Sequence, residues 1–555
     1  MKRLLRPIAR RVLALPPWAA VAVVCAFALI LRLGLLVTVV EHPGIADPMH
    51  YYNMALRIVG GHGLTIDYIW QYTLPPADIV HPEEHWMPGA AVLAALGMSV
   101  LGETPRAAIV PFALLGALLP ALTWAAARGL RTPVAAALFA ACAAAVLPEF
   151  VLNSLRTDTT LPAAVLVCAA LIAIGRALGS PGRVRDAGDA ARAWAWCAAA
   201  GVCAGLGYLV RSDAVLIVPL CAAVFVIGVA ARRTRSGPRI ALVRLASLAA
   251  VPVCALVVAS PYLARNIALF GTPTTPEGRS MFFFTHHDDH YAYAREFSLD
   301  TMLAAQTPAA IIGKRAFELA AGIRGMITWA DLFAPLLIAG AALVVGRAFG
   351  LGPPALRADA RVRLWRLLPA VLLGVGALIA YAVFIPYKAQ AGSFKKAWLM
   401  TLPALLPLAG LAFTGLIADR RMRVLAAALV CVLVGLSAVE RVRADAAAAR
   451  AYIDEIRIVA ERAARLPDMN GDGEIRLMTQ DPYILRYVGV RTVIYPFEPR
   501  AVIHGVAVRY RVDYLLMPPN RPALDRLWRG EETSALFTLS ARIEGTPYSF
   551  WAVGP

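Results

Sequence analysis

The chain has 555 residues, of which 59% are hydrophobic and 16% charged, whereas soluble globular proteins carry roughly 45–50% apolar and about 25% charged residues. That balance excludes an ordinary soluble domain and a disordered chain, and it fits a membrane protein. The formal net charge of +18 lies in short arginine clusters between apolar runs, the pattern of orientation signals, so nucleic acid is not an expected partner.

In chain order, a basic patch (Lys2, Arg3, Arg6, Arg10, Arg11) precedes the run Trp18 to Val40, which reads as a retained first span and not as a cleaved signal. At about 20 apolar residues per crossing, spans are predicted near 18–40, 107–127, 133–150, 159–176, 193–210, 214–231, 245–263, 330–347, 367–386, 397–417 and 424–439. The predicted class is an α-helical polytopic membrane protein with about eleven transmembrane helices. Arg128 and Arg131, Arg176 to Arg192, Arg232 to Arg244, Arg347 to Arg366 and Arg420 to Arg423 all fall in loops on one side. The positive-inside rule makes that side cytoplasmic, and an odd number of spans puts the C-terminal part outside, across a bacterial plasma or inner membrane.

Three outside regions follow: 41–106, 265–329 and a tail at 440–555, leaving 1–439 as the membrane module. Met87 to Leu101 reads as an interfacial helix, and Val442 to Leu466 as a charge-dotted helix joining the last span to the tail. In the tail, strand-like segments at 475–480, 492–497 and 513–518 alternate with helical stretches, and 536–553 resembles a hairpin. A small α/β domain fits. The eight cysteines lie in apolar stretches without a CxxC pair, so neither disulfides nor a thiolate metal site is expected.

Asp47 follows span one and precedes Tyr51, Met54, Ala55 and Ile58 at helical spacing, the pattern of an amphipathic surface helix. Asp47 reads either as an N-cap before Pro48 or as a carboxylate placed to take a proton from an acceptor. His81, Glu83, Glu84 and His85 beside Trp86 read as a polar turn in preference to a divalent-ion site. Glu149, Arg156 and Asp158 at the second outside turn, and Arg211 with Asp213, are ionisable groups at membrane depth and so functional candidates. Arg265 stands just outside span seven, where arginine is disfavoured, and calls for an anionic partner. His286 to His290, the run HHDDH, reads as a solvated loop, and Asp468 to Ile475 as a turn entering a strand. The sharpest signal is lysine: the chain has five, and three of them (Lys388, Lys395, Lys396) share one predicted outside loop, where a lipid-linked phosphate would sit.

The order DPMHYYNMA, WMPGAAVLAALGMSVLGETPRAA, RTD, GLGYLVRSD, SPYLARNIALFGTP and LPALLPLAG resembles the GT-C superfamily of polytopic glycosyltransferases. Within it, the pattern is similar to the bacterial aminoarabinose transferases and protein O-mannosyltransferases. The resemblance implies a polyprenyl-phosphate sugar donor, transfer on the outer face to a lipid, glycan or protein acceptor, and catalytic roles for Asp47 and Asp158. An inverting transfer is expected, with Asp47 as general base and Arg265, Lys388, Lys395 and Lys396 holding the donor phosphate. Tyr51, Glu84, His85 and Arg211 are expected at the acceptor or substrate site. No cofactor is called for by these residues, and a divalent metal ion at Asp158 stays open. The alternative is a lipid or lipid-linked-sugar flippase, which would need a polar path reaching both faces.

Overall fold

The computed structural model describes residues 16–178, 187–232, 246–274, 280–351, 353–387, 392–518 and 521–555. The chain divides into two compact units: Met1–Val39 with Ile109–Tyr262 and Arg315–Arg443, and Val40–Ala108 with Leu263–Lys314 and Ala444–Pro555.

The first unit is helical. Among the described residues of the whole chain, nine helices are long and apolar enough to cross a membrane, from Pro17–Thr38 to Arg420–Ala463. They coincide with nine of the eleven predicted spans. The other two positions hold the shorter apolar helices Val134–Val146 and Ser212–Val224. The predicted span 133–150 is interrupted because Leu147, at φ −55° and ψ 124°, leaves the helical region before Pro148 and the chain restarts as Pro148–Asn153; a proline disfavours helical backbone in the residue before it.

At the centre of this unit is the helix Ser393–Leu416, buried almost continuously from Phe394 to Phe413 and packed by Val134–Val146, Thr160–Ala177, Ala334–Phe349 and Pro354–Ile379. A helix apolar all round is what such a position requires. Close approach depends on missing side chains: a Cβ on Gly410 would run into the Ala136 carbonyl, and one on Gly340 into that of Leu408, the small-residue contact typical of membrane helices. Arg32, fully buried within the first span, is held by Ser154 Oγ at 2.8 Å and by the carbonyls of Ala28 and Ala145 at 3.1 Å.

The second unit contains a five-stranded sheet of β3 (Arg476–Thr479), β4 (Arg491–Ile494), β5 (Tyr514–Met517), β6 (Phe537–Arg542) and β7 (Ser549–Val553), in the order β4-β3-β5-β7-β6. β4, β3 and β5 are parallel, and β7 and β6 add an antiparallel hairpin. The parallel strands are runs of buried residues, as sheets covered on both faces require. A small antiparallel pair, β1 (Thr65–Ile66) with β2 (His81–Pro82), lies in the first inter-span region. Nearby, Ile69 bridges Val493 in parallel register, its N–H donating to the Thr492 carbonyl at 3.1 Å and its carbonyl accepting from the Ile494 N–H at 2.7 Å, so this region covers the β4 edge of the sheet.

Two expectations change. The stretch predicted as a loop over 265–329 carries the helices Leu299–Ala305 and Pro308–Thr328. The predicted last span and the charged connector are one uninterrupted helix of 44 residues, Arg420–Ala463, because no proline breaks it and alanine-rich charged sequence sustains a helix as well as an apolar one does.

Candidate functional site

In the first unit, several ionisable candidates meet at one end of the helices. Asp158 lies in the turn before Thr160–Ala177, and its Oδ1 accepts from the backbone N–H and the hydroxyl of Thr160, both at 2.8 Å. Its Oδ2 receives Lys396 Nζ at 2.7 Å. Burial alone would raise the Asp158 carboxyl, but the Lys396 charge and the Thr160 donors outweigh it and hold the group well below the usual carboxylate range. Asp158 is therefore a carboxylate throughout the physiological range.

Lys395 points elsewhere, because consecutive helical residues diverge by about 100°. It pairs with Glu149 at 2.8 Å, and Arg441 joins the same carboxylate at 2.7 Å. Beside them, Arg211 grips Asp213 through two bonds of 3.0 and 2.6 Å, the bidentate geometry that suits guanidinium. Tyr381 donates to Asp213 at 2.7 Å, and Arg211 reaches Thr159 Oγ1 at 3.4 Å. These seven ionisable groups are four cations and three carboxylates, one positive charge in excess. Lys388 lies outside the described residues.

The second unit holds the other candidates. The helix Asp47–Val59 begins with Asp47 itself; its N-cap is Ala46, at φ 62°, and makes no side-chain cap bond. Asp47 is thus not the N-cap that the following proline suggested, but the first helical residue, where the helix dipole favours a carboxylate. Residues Pro48 to Ala55 are all buried, so the first turns are packed on all sides by protein instead of presenting a polar face. The reason is aromatic packing: Tyr51 meets the Trp86 ring at 5.4 Å and His50 meets it at 5.0 Å.

The stretch HPEEH is also no exposed turn. His81, Glu83 and Glu84 are buried. Glu83 Oε1 accepts the backbone N–H groups of His85 and Trp86, each at 2.8 Å, while Oε2 faces His50 Nε2 at 3.2 Å. Burial would raise the Glu83 carboxyl; His50 and the two backbone donors prevail and lower it. On the other ring nitrogen, His50 Nδ1 and the Tyr68 hydroxyl are 2.6 Å apart. Glu84 accepts from Gln71 at 3.1 Å and lies 3.5 Å from His81. His85 stands edge-on to Trp70, with ring centroids 4.9 Å apart. Arg265 donates to the Leu64 carbonyl at 2.9 Å and to Asn266 Oδ1 at 3.0 Å. The HHDDH run leads into a 3₁₀ turn, His287–Tyr291; His286 and His287 are exposed, as a solvated loop would be, whereas Asp289 and His290 are buried, and Asp289 accepts the N–H groups of Thr285 and His286.

Sequence reasoning passed over His50, Tyr68, Tyr381 and Arg441. Only His50 carried a signal, standing three residues from Asp47 and so on a neighbouring helical position. Among the described residues, no three His, Cys, Asp or Glu side chains converge as a metal site. Pairs such as His81 with Glu84 fall short of the three or more ligands a zinc or calcium site takes from protein, so these residues do not fit a resident zinc or calcium ion.

Residues 80–263 match the family model of dolichyl-phosphate-mannose-protein mannosyltransferases. Among solved structures, the oligosaccharyltransferase of Archaeoglobus fulgidus, crystallised with Zn and sulfate, is 14% identical at TM-score 0.57, covering 90% of this chain and 67% of that one. ArnT from Cupriavidus metallidurans bound to undecaprenyl phosphate is 16% identical at TM-score 0.54, covering 96% of this chain and 99% of that one. At these identities the likeness is one of fold. The archaeal oligosaccharyltransferase AglB from Archaeoglobus fulgidus, in complex with an inhibitory peptide and a dolichol-phosphate, aligns with this chain at TM-score 0.54 and 12% identity, over 90% of this chain and 69% of that one. No curated protein sequence matches the chain.

Proposed function

We propose that this chain is a GT-C glycosyltransferase that transfers a sugar from a polyprenyl-phosphate carrier to an acceptor on the outer face of the plasma membrane, with inversion at the anomeric carbon. The observation that carries the reading is the cluster in which the partly exposed cations Lys396, Lys395, Arg211 and Arg441 face the carboxylates Asp158, Glu149 and Asp213, inside a fold shared with ArnT, solved with undecaprenyl phosphate. One excess positive charge in a low-dielectric setting is suited to a phosphate that gains negative charge as it leaves.

In this scheme the acceptor O–H or N–H loses its proton to Asp47 as its lone pair attacks the anomeric carbon. The bond from that carbon to the phosphate oxygen breaks through an oxocarbenium-like state, and its electron pair stays on polyprenyl phosphate. Lys395, Lys396 and Arg265 stabilise that departing group. Asp158, held ionised by Lys396, cannot serve as an acid; it keeps Lys396 extended toward the phosphate. Tyr51, Glu84, His85 and Arg211 orient the acceptor or the donor sugar.

The test is to incubate the purified protein in nanodiscs with a panel of polyprenyl-phosphate sugars and assay released polyprenyl phosphate. Release that depends on one sugar class and is abolished by Asp47→Asn in a folded protein supports the scheme. Undiminished release by Asp47→Asn overturns the role of Asp47, and no release from any donor in the presence of lipid, glycan and peptide acceptors overturns the reaction.

A further inference from the structure

A second charged site lies at the opposite end of the first unit's helices. Asp158 precedes the helix Thr160–Ala177, and Arg176 ends it; 18 residues at about 1.5 Å each separate the two by roughly 27 Å. At the Arg176 end is a cavity of about 390 Å³ lined by Arg128, Arg176, Arg366 and Trp196, with Leu171 and Leu367 among its apolar walls.

Three features single it out. The Arg176 guanidinium lies 4.7 Å above the Trp196 ring, which fixes a cation against the wall. Arg366 spends one Nη on the Gly129 carbonyl, while its Nε is buried with no hydrogen-bond partner. No Asp or Glu is among the described residues that line the cavity. Arg128, Arg176 and Arg366 thus line one cavity without a carboxylate among the described residues, although like charges close together repel. In this it differs from the cluster at Asp158, where described carboxylates pair with the cations.

We infer that this cavity binds the phosphate headgroup of an anionic phospholipid from the leaflet opposite the Asp158–Lys396 cluster. The phosphate lies between Arg128, Arg176 and Arg366, where guanidinium donors match its oxygens, and the first carbons of an acyl chain lie along Leu171 and Leu367. A free phosphate ion would use the cations and leave the apolar wall bare; a lipid uses both. The arginines here belong to the loops that the positive-inside rule assigns to the cytoplasm, where anionic lipids gather and basic pockets between helices hold their headgroups. This site is independent of the transfer reaction and stands whether or not the donor reading holds.

The probe is dioleoyl phosphatidylglycerol, titrated into delipidated protein and followed by native mass spectrometry, with dioleoyl phosphatidylcholine and inorganic phosphate as comparison arms. Phosphatidylglycerol should bind, and Arg176→Gln with Arg366→Gln should weaken it about 10-fold or more, on the scale of two lost surface cations. Equal affinity for phosphatidylcholine, unchanged affinity in the double variant, or displacement of phosphatidylglycerol by equimolar inorganic phosphate would overturn the assignment. A second measurement needs only a conservative change: a lipid brominated near its headgroup should quench wild-type tryptophan fluorescence more than that of Trp196→Phe, and equal quenching would count against the site.

Discussion

Lys396 Nζ lies 2.7 Å from Asp158 Oδ2, an ion pair between residues 238 positions apart that ties the central helix to the start of Thr160–Ala177. Asp158 is almost fully buried, while the Lys396 side chain keeps 19% exposure, so the two partners are not equivalent. Lys396→Met strands a buried anion, whereas Asp158→Asn leaves an ammonium that can turn toward water. Lys396→Met should therefore lower unfolding stability by about 3 kcal/mol or more, in the range of broken buried pairs, and Asp158→Asn by clearly less. Thermal and denaturant unfolding in detergent read the difference, and equal losses would show that the pair is not asymmetric.

Tyr381 donates its hydroxyl to the same carboxylate oxygen that Arg211 grips. Tyr381→Phe removes one donor to a charged acceptor and leaves the ring in place. A stability loss of about 2 kcal/mol is expected, typical of hydrogen bonds to ions, with no change in expression. A loss below about 0.5 kcal/mol would mean that Arg211 alone satisfies Asp213.

Glu83 supplies the pH dependence of the second unit. Its carboxyl is lowered from 4.5 to about 2 in the fold, and a depressed carboxylate contributes stability that is complete above its unfolded value and lost as pH falls through the folded one. The unit should therefore weaken as pH drops from about 4.5 toward 2, and Glu83→Gln should flatten that part of the profile. Fluorescence of Trp70 and Trp86, which pack around His50, follows the loss. An unchanged profile in Glu83→Gln would assign the acid sensitivity to other carboxylates.

Gly410 faces the Ala136 backbone with no room for a Cβ, while Gly376 has open space. Gly410→Ala should cost about 1–3 kcal/mol as an overpacked contact against backbone, and Gly376→Ala should be neutral or slightly stabilising because alanine is the better helix former. Comparable yields of monodisperse protein for both variants would contradict the close packing of these helices.

Apolar run length made the spans legible, and β-branched and aromatic runs between turn residues made the strands of the second unit legible. Asp158 and Arg211 stood out because charge at membrane depth is expensive, and Lys395 and Lys396 because three of the five lysines share one predicted outside loop. Their partners did not: nothing local assigns Glu149 to Lys395 and Arg441, or Tyr381 to Asp213, since those pairings join distant segments. Pattern misled where burial is tertiary. DPMHYYNMA reads as amphipathic, yet packing around Trp86 buries its first turns, and HPEEH reads as polar until Glu83 is seen to bind two backbone N–H groups. Periodicity also left the helix Pro308–Thr328 unread, because lysine, arginine and glutamate interrupt its apolar face.

Whether the cluster around Lys395 and Lys396 receives the carrier phosphate is read from the equilibrium affinity of undecaprenyl phosphate for monodisperse protein in nanodiscs, compared between wild type, Lys395→Ala, Lys396→Ala and Lys396→Arg. Each alanine variant should weaken binding at least about 10-fold, one lost charge-assisted contact, and Lys396→Arg should restore most of it; equal affinity across all four proteins would rule out a phosphate site at these lysines.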